Sequence, residues 1–263
     1  MRRIFGTLLI SALLVLGGAC GESTTDQVVG ALTPAPGTPG VSEASSDSAA
    51  NGAAPAEGAE APAAPTMAAP ESPTAPQVVA TGFGQDGSQM GVAFIVENPN
   101  PGHTFESSQY QIAAYDANNT VVETESGYVT LLLPGQRAGI ATTMFLNEGV
   151  TVARVDVQLK AGRAQPSEPV PTFTVDAVTY MPEEYFPKVT GTITSPYQQD
   201  LENIRVSAVA YDAAGQIIGG GFTFVDFVPA GGQAAVEVSV TTAGPPASVE
   251  LYPMVSGLTL LGS

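Results

Sequence analysis

From residue 77 onward, apolar and polar residues alternate in short runs, the period of a strand with one buried face. Such runs occupy Val78–Phe83, Met90–Glu97, Gln109–Tyr115, Thr120–Leu133, Arg137–Phe145 and Thr151–Leu159. Turn-forming clusters separate them, among them Gln85-Asp86-Gly87, Asn98-Pro99-Asn100-Pro101-Gly102, Pro134-Gly135 and Asn147-Glu148-Gly149. A second series covers Phe173–Tyr180, Lys188–Thr194, Ala234–Val240 and Ala247–Val255, with Leu258–Leu261 as a candidate last strand. No credible amphipathic helix interrupts either series. Short strands at this spacing predict an all-β chain of antiparallel sandwiches.

The two series are copies of one another. Tyr110 to Val122 reads Tyr-Gln-Ile-Ala-Ala-Tyr-Asp-Ala-Asn-Asn-Thr-Val-Val, and Val206 to Ile218 reads Val-Ser-Ala-Val-Ala-Tyr-Asp-Ala-Ala-Gly-Gln-Ile-Ile. Each is a strand ending in Tyr-Asp, a tight turn, and a β-branched strand leaving. Asp116 and Asp212 stand where a short carboxylate accepts a backbone N–H two residues on. Three residues later the chain needs a left-handed residue, supplied by Asn119 and Gly215. A calcium loop is the other use of an Asp-rich turn, but its spaced carboxylates are missing here. Further landmarks keep the same order. Asn98-Pro99 matches Ser195-Pro196, Phe105-Glu106 matches Leu201-Glu202, and Leu133-Pro134-Gly135-Gln136 matches the stretch from Val228-Pro229 to Gln233. Ordered landmarks at near-constant offset indicate internal duplication. On the central strand of the first copy, Tyr110, Ile112 and Ala114 share one face, and Gln111, Ala113 and Tyr115 the other. Packing on one face only predicts that the first set is buried. Gly219-Gly220-Gly221, inside a strand region, predicts a bulge or a close backbone approach.

Before the sandwiches the chain has a different character. Arg2 and Arg3 precede an apolar run, Ile4 to Leu16, and a small-residue zone, Gly17-Gly18-Ala19, then Cys20. The run is too short to cross a bilayer comfortably and reads as an export signal over residues 1–19. With Cys20 behind it, the segment resembles a bacterial lipoprotein signal, and the resemblance implies lipidation of Cys20 and a membrane anchor. Residues 20–76 are rich in Ala, Pro, Ser and Glu with almost nothing to bury, which predicts a disordered linker. The expected domains are a sandwich at 77–160, an interdomain linker at 161–171 and a second sandwich at 172–263. Cys20 is the sole cysteine, so no disulfide forms within the chain. A net charge of −17 argues against nucleic acid, whose phosphates need clustered Lys and Arg.

Each copy resembles the FxLYD-type domain of bacterial envelope proteins, an immunoglobulin-like (Ig-like) sandwich. The resemblance rests on a strand closing in Tyr-Asp and a Pro-Gly ahead of the later strands. The namesake positions are Ile112-Ala113-Ala114-Tyr115-Asp116 and Ala208-Val209-Ala210-Tyr211-Asp212. Alanines at the large positions require filling from the facing sheet, for which Leu131 and Leu133, or Phe222 and Phe224, are candidates. The resemblance implies an exported module and transfers no catalytic residue.

Candidate chemistry is sparse. His103 is the sole histidine, and alone it builds neither a His-containing triad nor a multi-histidine metal site. No nucleophile-elbow serine or phosphate loop is present. No cofactor is expected. Tyr180, Tyr185, Phe186 and Tyr197 flank loops of the second copy and are candidates for a binding patch, since such rings join large contact area to a polar handle. The competing assignment places Tyr180 and Phe186 in the core at strand ends. The reading is a lipid-anchored, non-catalytic protein whose Ig-like domains engage an envelope protein or polysaccharide. A structural spacer or assembly factor is the alternative, and a carboxylate-based hydrolase the third.

Overall fold

The alternating runs are strands, and the two copies share one topology. The computed structural model describes residues 72–183, 185 and 187–255, all inside one compact unit, Pro65–Ser263. The export signal, Cys20, most of the linker, Phe186 and Leu258–Leu261 lie outside the described residues. In chain order the first copy contains β1 (Gln77–Asp86), β2 (Gln89–Glu97), β3 (His103–Tyr115), β4 (Val121–Leu132), β5 (Arg137–Phe145), β6 (Arg154–Lys160) and β7 (Arg163–Pro166). The second contains β8 (Thr174–Met181), β9 (Lys188–Thr194), β10 (Leu201–Tyr211), β11 (Ile217–Val228), β12 (Gln233–Ser239), β13 (Thr241–Thr242) and β14 (Ser248–Met254).

In the first copy, sheet A has the order β1-β2-β5 and sheet B the order β4-β3-β6, with β7 beside the start of β3. In the second, sheet C runs β12-β9-β8 and sheet D runs β13-β11-β10-β14. Every pairing is antiparallel. Strands 1, 2 and 5 of the first copy thus correspond to β8, β9 and β12, and β3, β4 and β6 to β10, β11 and β14. The stretch read as an interdomain linker is partly strand, because β7 pairs its four residues with His103–Glu106.

The duplicated corner is the same in both copies down to its hydrogen bonds. Asp116 Oδ1 accepts from the amides of Asn118 and Thr120 at 2.8 Å each. Asp212 Oδ1 accepts from those of Ala214 and Gln216, also at 2.8 Å. Asn119 has φ 60° and Gly215 φ 75°, the left-handed residues the turn requires. A bulge follows in each copy, at Ala114/Tyr115 and at Ala210/Tyr211. One landmark shifts by a residue. Gly135 donates to Asn100 and Gly231 to Tyr197, so Gly135 corresponds to Gly231 and Pro134 to Ala230, not to Pro229.

Each sandwich has its own core. Between sheets A and B lie Met90, Val92, Phe94, Tyr110, Ile112 and Leu132, with Phe94 and Tyr110 edge to face at 5.1 Å. The face of β3 expected to be buried is buried. Between sheets C and D lie Val189, Ile193, Ile204, Val206, Ala208 and Leu251. Phe222 and Phe224 do not fill that core. They project from the other face of sheet D, edge to face with one another at 5.9 Å, because Phe222 pairs opposite Ser207 rather than beside Ala208.

A third cluster joins the copies. Ala93, Ile95 and Ala141 of sheet A pack on Val209, Tyr211 and Ile217 of sheet D. The layers therefore stack in the order B, A, D, C, and both middle sheets are buried on two faces. Packing on one face only holds for β3, the strand of which it was expected, whereas sheet A in the first copy and sheet D in the second bury both faces. Small residues permit the approach. Ala80, Gly82 and Gly84 on β1 lie opposite Ile95, Ala93 and Gly91 on β2, so they share the face that meets sheet D. A methyl group on Gly82 would lie 2.0 Å from the Ile217 carbonyl oxygen, and one on Gly91 2.4 Å from that of Gly220. The glycine run at 219–221 belongs to this close approach, as its sequence suggests: a methyl on Gly220 would lie 3.1 Å from the Cβ atoms of Ala93 and Ala141.

Candidate functional site

The three described candidate aromatics, Tyr180, Tyr185 and Tyr197, do not form one patch. Tyr185 lies in the loop before β9 and is 75% exposed, whereas Tyr197 lies in the loop after it. Seven residues of extended strand separate these loops by roughly 20 Å. Tyr180 packs on the second core, as does Tyr197, whose ring stands edge to face with Phe173 at 5.7 Å. Two of the three are therefore mainly structural, and Tyr185 stands apart from Tyr197. His103 opens β3 opposite Pro166, and its carbonyl accepts from the Asn98 amide at 2.7 Å.

Polar groups in the interior are accounted for by structural roles. The Asn98 side-chain nitrogen also donates to the Leu133 carbonyl at 2.8 Å, and its oxygen accepts from the Asn100 backbone and side chain. This ties the β2–β3 loop to the β4–β5 turn. Arg205 crosses the seam: it donates to the Ala141 carbonyl at 2.7 Å and lies 3.8 Å from the Phe222 ring centroid. Its neighbour Ser207 accepts from the Ala141 amide at 3.2 Å. Ala141 is on β5, the edge of sheet A, so these two side chains cap backbone groups that no strand pairs. Burial lowers the Arg205 pKa, and the negative charge of Glu125 opposes that shift. Glu125 in turn accepts from the Thr142 hydroxyl at 2.7 Å. At the far side of the seam, Tyr211 and Tyr252 both donate to Glu250. Burial raises both phenol pKa values, so they remain neutral donors at any ordinary pH. Among the described residues, no group of three or more His, Cys, Asp or Glu could hold a metal ion.

Two surfaces remain as candidates. The first is a mostly apolar groove of about 360 Å³ between the sandwiches, lined by Leu131, Leu133, Pro166, Tyr197, Leu201 and Val255. Leu131 and Leu133, proposed as core fillers, form its wall instead, although Leu133 is also buried. The second is the solvent face of sheet B. Here Tyr128, Gln109 and Lys160 lie side by side across three strands. The next rows are Ser126, Gln111 and Gln158, then Thr124, Ala113 and Asp156. Tyr128 is 63% exposed, and Gln109, Gln111 and Gln158 are exposed too. At the end of the face Arg154 lies 3.7 Å from the Tyr115 ring centroid and pairs with Asp156. Among the described residues, no segment covers this polar face.

No family model matches the chain, and no curated protein matches it. Among solved structures, a crystal structure of red sea bream transglutaminase is similar at 12% identity and a TM-score of 0.26, covering 68% of this chain and 29% of that one. The chain thus spans less than a third of that protein's length.

The sheet B face was missed in sequence because glutamine and threonine on a strand read only as solvent-facing filler. The available signal was Gln109-Tyr110-Gln111, an alternation that puts two amides on one exposed face. The glycine and alanine of the seam had a clearer signal, small residues at every second position from Ala80 to Gly84.

Proposed function

We propose that the chain is an exported protein, anchored to a membrane through lipidated Cys20, that presents its two Ig-like sandwiches for non-catalytic binding at the cell envelope. The signal segment and the resemblance of each copy to FxLYD-type domains support export and anchoring. The observation that carries the binding reading is the open face of sheet B. Its amides offer donors and acceptors together, Tyr128 offers an exposed ring, and Asp156 and Lys160 flank them. Amides, a ring and a carboxylate on one exposed sheet face suit the hydroxyl-rich surface of a polysaccharide, which stacks on rings and exchanges hydrogen bonds with amides. The buried side chains of Asn98, Ser108, Ser195 and Ser207 each bond backbone groups, a structural use that favours binding over hydrolysis.

Co-sedimentation of the anchor-free chain with isolated envelope polysaccharide tests this reading. Binding is expected, with a loss of at least tenfold in a Tyr128→Ala/Gln111→Ala variant that melts like the parent. Absence of binding, or binding unchanged by the double substitution, contradicts it. A stoichiometric membrane-protein partner recovered instead favours the assembly-factor reading.

A further inference from the structure

We propose that the polysaccharide is an acidic one, a carboxylate-bearing chain that crosses the strands of sheet B with one sugar on the Tyr128 ring and the carboxylate of another on the Lys160 ammonium. This narrows the binding reading above and rests on it. The two ends of the face differ in what their side chains already do. At one end Arg154 pairs with Asp156, lies over the Tyr115 ring and donates to Asn119 Oδ1 at 3.3 Å. Cation, carboxylate and ring there are engaged with one another. At the other end Tyr128, Gln109 and Lys160 stand in one row across β4, β3 and β6, all exposed. Among the described residues, none of these three side chains meets a hydrogen-bond, ion-pair or ring partner.

Lys160 differs from every other described cation. Arg137, Arg154, Arg163 and Lys188 each pair with a carboxylate, and Arg205 is committed to the Ala141 carbonyl in the seam. Asp156, on the same face, has Arg154 as its cation, and Glu106, where β7 joins β3, has Arg163 at 2.7 Å. The row therefore presents uncompensated positive charge on a chain whose net charge is −17. At physiological ionic strength, charges farther away than about 8 Å are largely screened, so that net charge weighs little against a contact made at Lys160. Neighbouring strands lie about 4.8 Å apart, close to the length of one sugar unit, so two strand spacings set the ring and the ammonium two sugars apart. Gln109 between them offers a donor and an acceptor to the hydroxyls of the intervening unit. An ammonium on a carboxylate makes a charge-assisted hydrogen bond, which is stronger than one to a hydroxyl.

Binding of the full chain to polygalacturonate and to its methyl ester tests the proposal, since the two polymers share a backbone and differ in charge. The acid is expected to bind about fivefold more tightly than the ester, and Lys160→Gln to abolish that preference without weakening binding to the ester. Lys160→Arg is expected to keep the preference, as is Lys188→Gln, which makes the same charge change on sheet C. Equal binding of acid and ester overturns the proposal, and so does a preference for the acid that survives Lys160→Gln. Either result leaves the polysaccharide reading standing where Tyr128→Ala/Gln111→Ala still weakens binding to both polymers. Binding to neither polymer also overturns the proposal, and the broader reading then rests on co-sedimentation with envelope polysaccharide.

Discussion

Strands β3 and β10 occupy the same place in two copies of one sandwich, yet they live in different solvents. Their inward residues do one job: Tyr110, Ile112 and Ala114 face one core, and Val206, Ala208 and Ala210 are likewise buried. Their other faces have diverged. Gln109, Gln111, Ala113 and Tyr115 look outward, whereas their counterparts Arg205, Ser207, Val209 and Tyr211 meet sheet A. The partner strands β2 and β9 diverge in the opposite sense. Gly91, Ala93 and Ile95 are buried in the seam, and their counterparts Lys188, Thr190 and Thr192 are not, with Lys188 held 2.9 Å from Glu237. Core positions define the fold, and the outer faces decide which surfaces join and which stay open. Since strand residues alternate between faces, one set of positions can change without disturbing the other.

The largest effect is expected from giving sheet A the face of sheet C. Gly91→Lys/Ala93→Thr/Ile95→Thr buries an unpaired charge and bulky side chains where the backbones touch. A loss of more than about 4 kcal/mol in denaturant unfolding is expected, with the copies separating. A loss below about 1 kcal/mol would mean that the seam contributes little. Arg205→Ala removes a charged donor from the Ala141 carbonyl and a cation from the Phe222 ring. It should cost about 2 kcal/mol by the same measurement, while the reverse change at its counterpart, Gln109→Arg, should be nearly neutral on its open face. The smallest effect concerns the corner. Backbone N–H groups of Thr120 and Asn118 hold the Asp116 carboxyl below the usual carboxylate range. Its contribution to stability is therefore present above the unfolded-state pKa, about 3.9, and is lost as pH falls through the lower folded value. The Tm gap between the parent and Asp116→Asn should be a few degrees near pH 7 and shrink as pH falls below the unfolded-state value. A gap that does not change with pH would contradict this assignment.

Much of the fold was legible. The limits of β5 and β9 coincide with the alternating runs, and the Asp-corner follows from a carboxylate and a left-handed residue three positions apart. What could not be read was pairing at a distance. Alternation says that Ser207 and Val209 share a face, but only the neighbour across the seam decides whether that face is wet. The separation of Tyr185 from Tyr197 was legible, by contrast, since the run between them, Lys188–Thr194, reads as a strand and carries them to opposite ends. The true aromatic of the open face, Tyr128, sits inside β4 beside a glycine that Tyr110 covers: a methyl on Gly127 would lie 2.4 Å from the Tyr110 hydroxyl oxygen. Nothing in the local sequence separates such an outward ring from an inward one until the register to Gln109 is known.

The central claim is that sheets A and D join the copies into one folding unit. Differential scanning calorimetry of the anchor-free chain tests it most directly. The account predicts a single transition whose van't Hoff enthalpy matches the calorimetric enthalpy of the whole folded region. Two separable transitions, each with about half of the enthalpy, would contradict it.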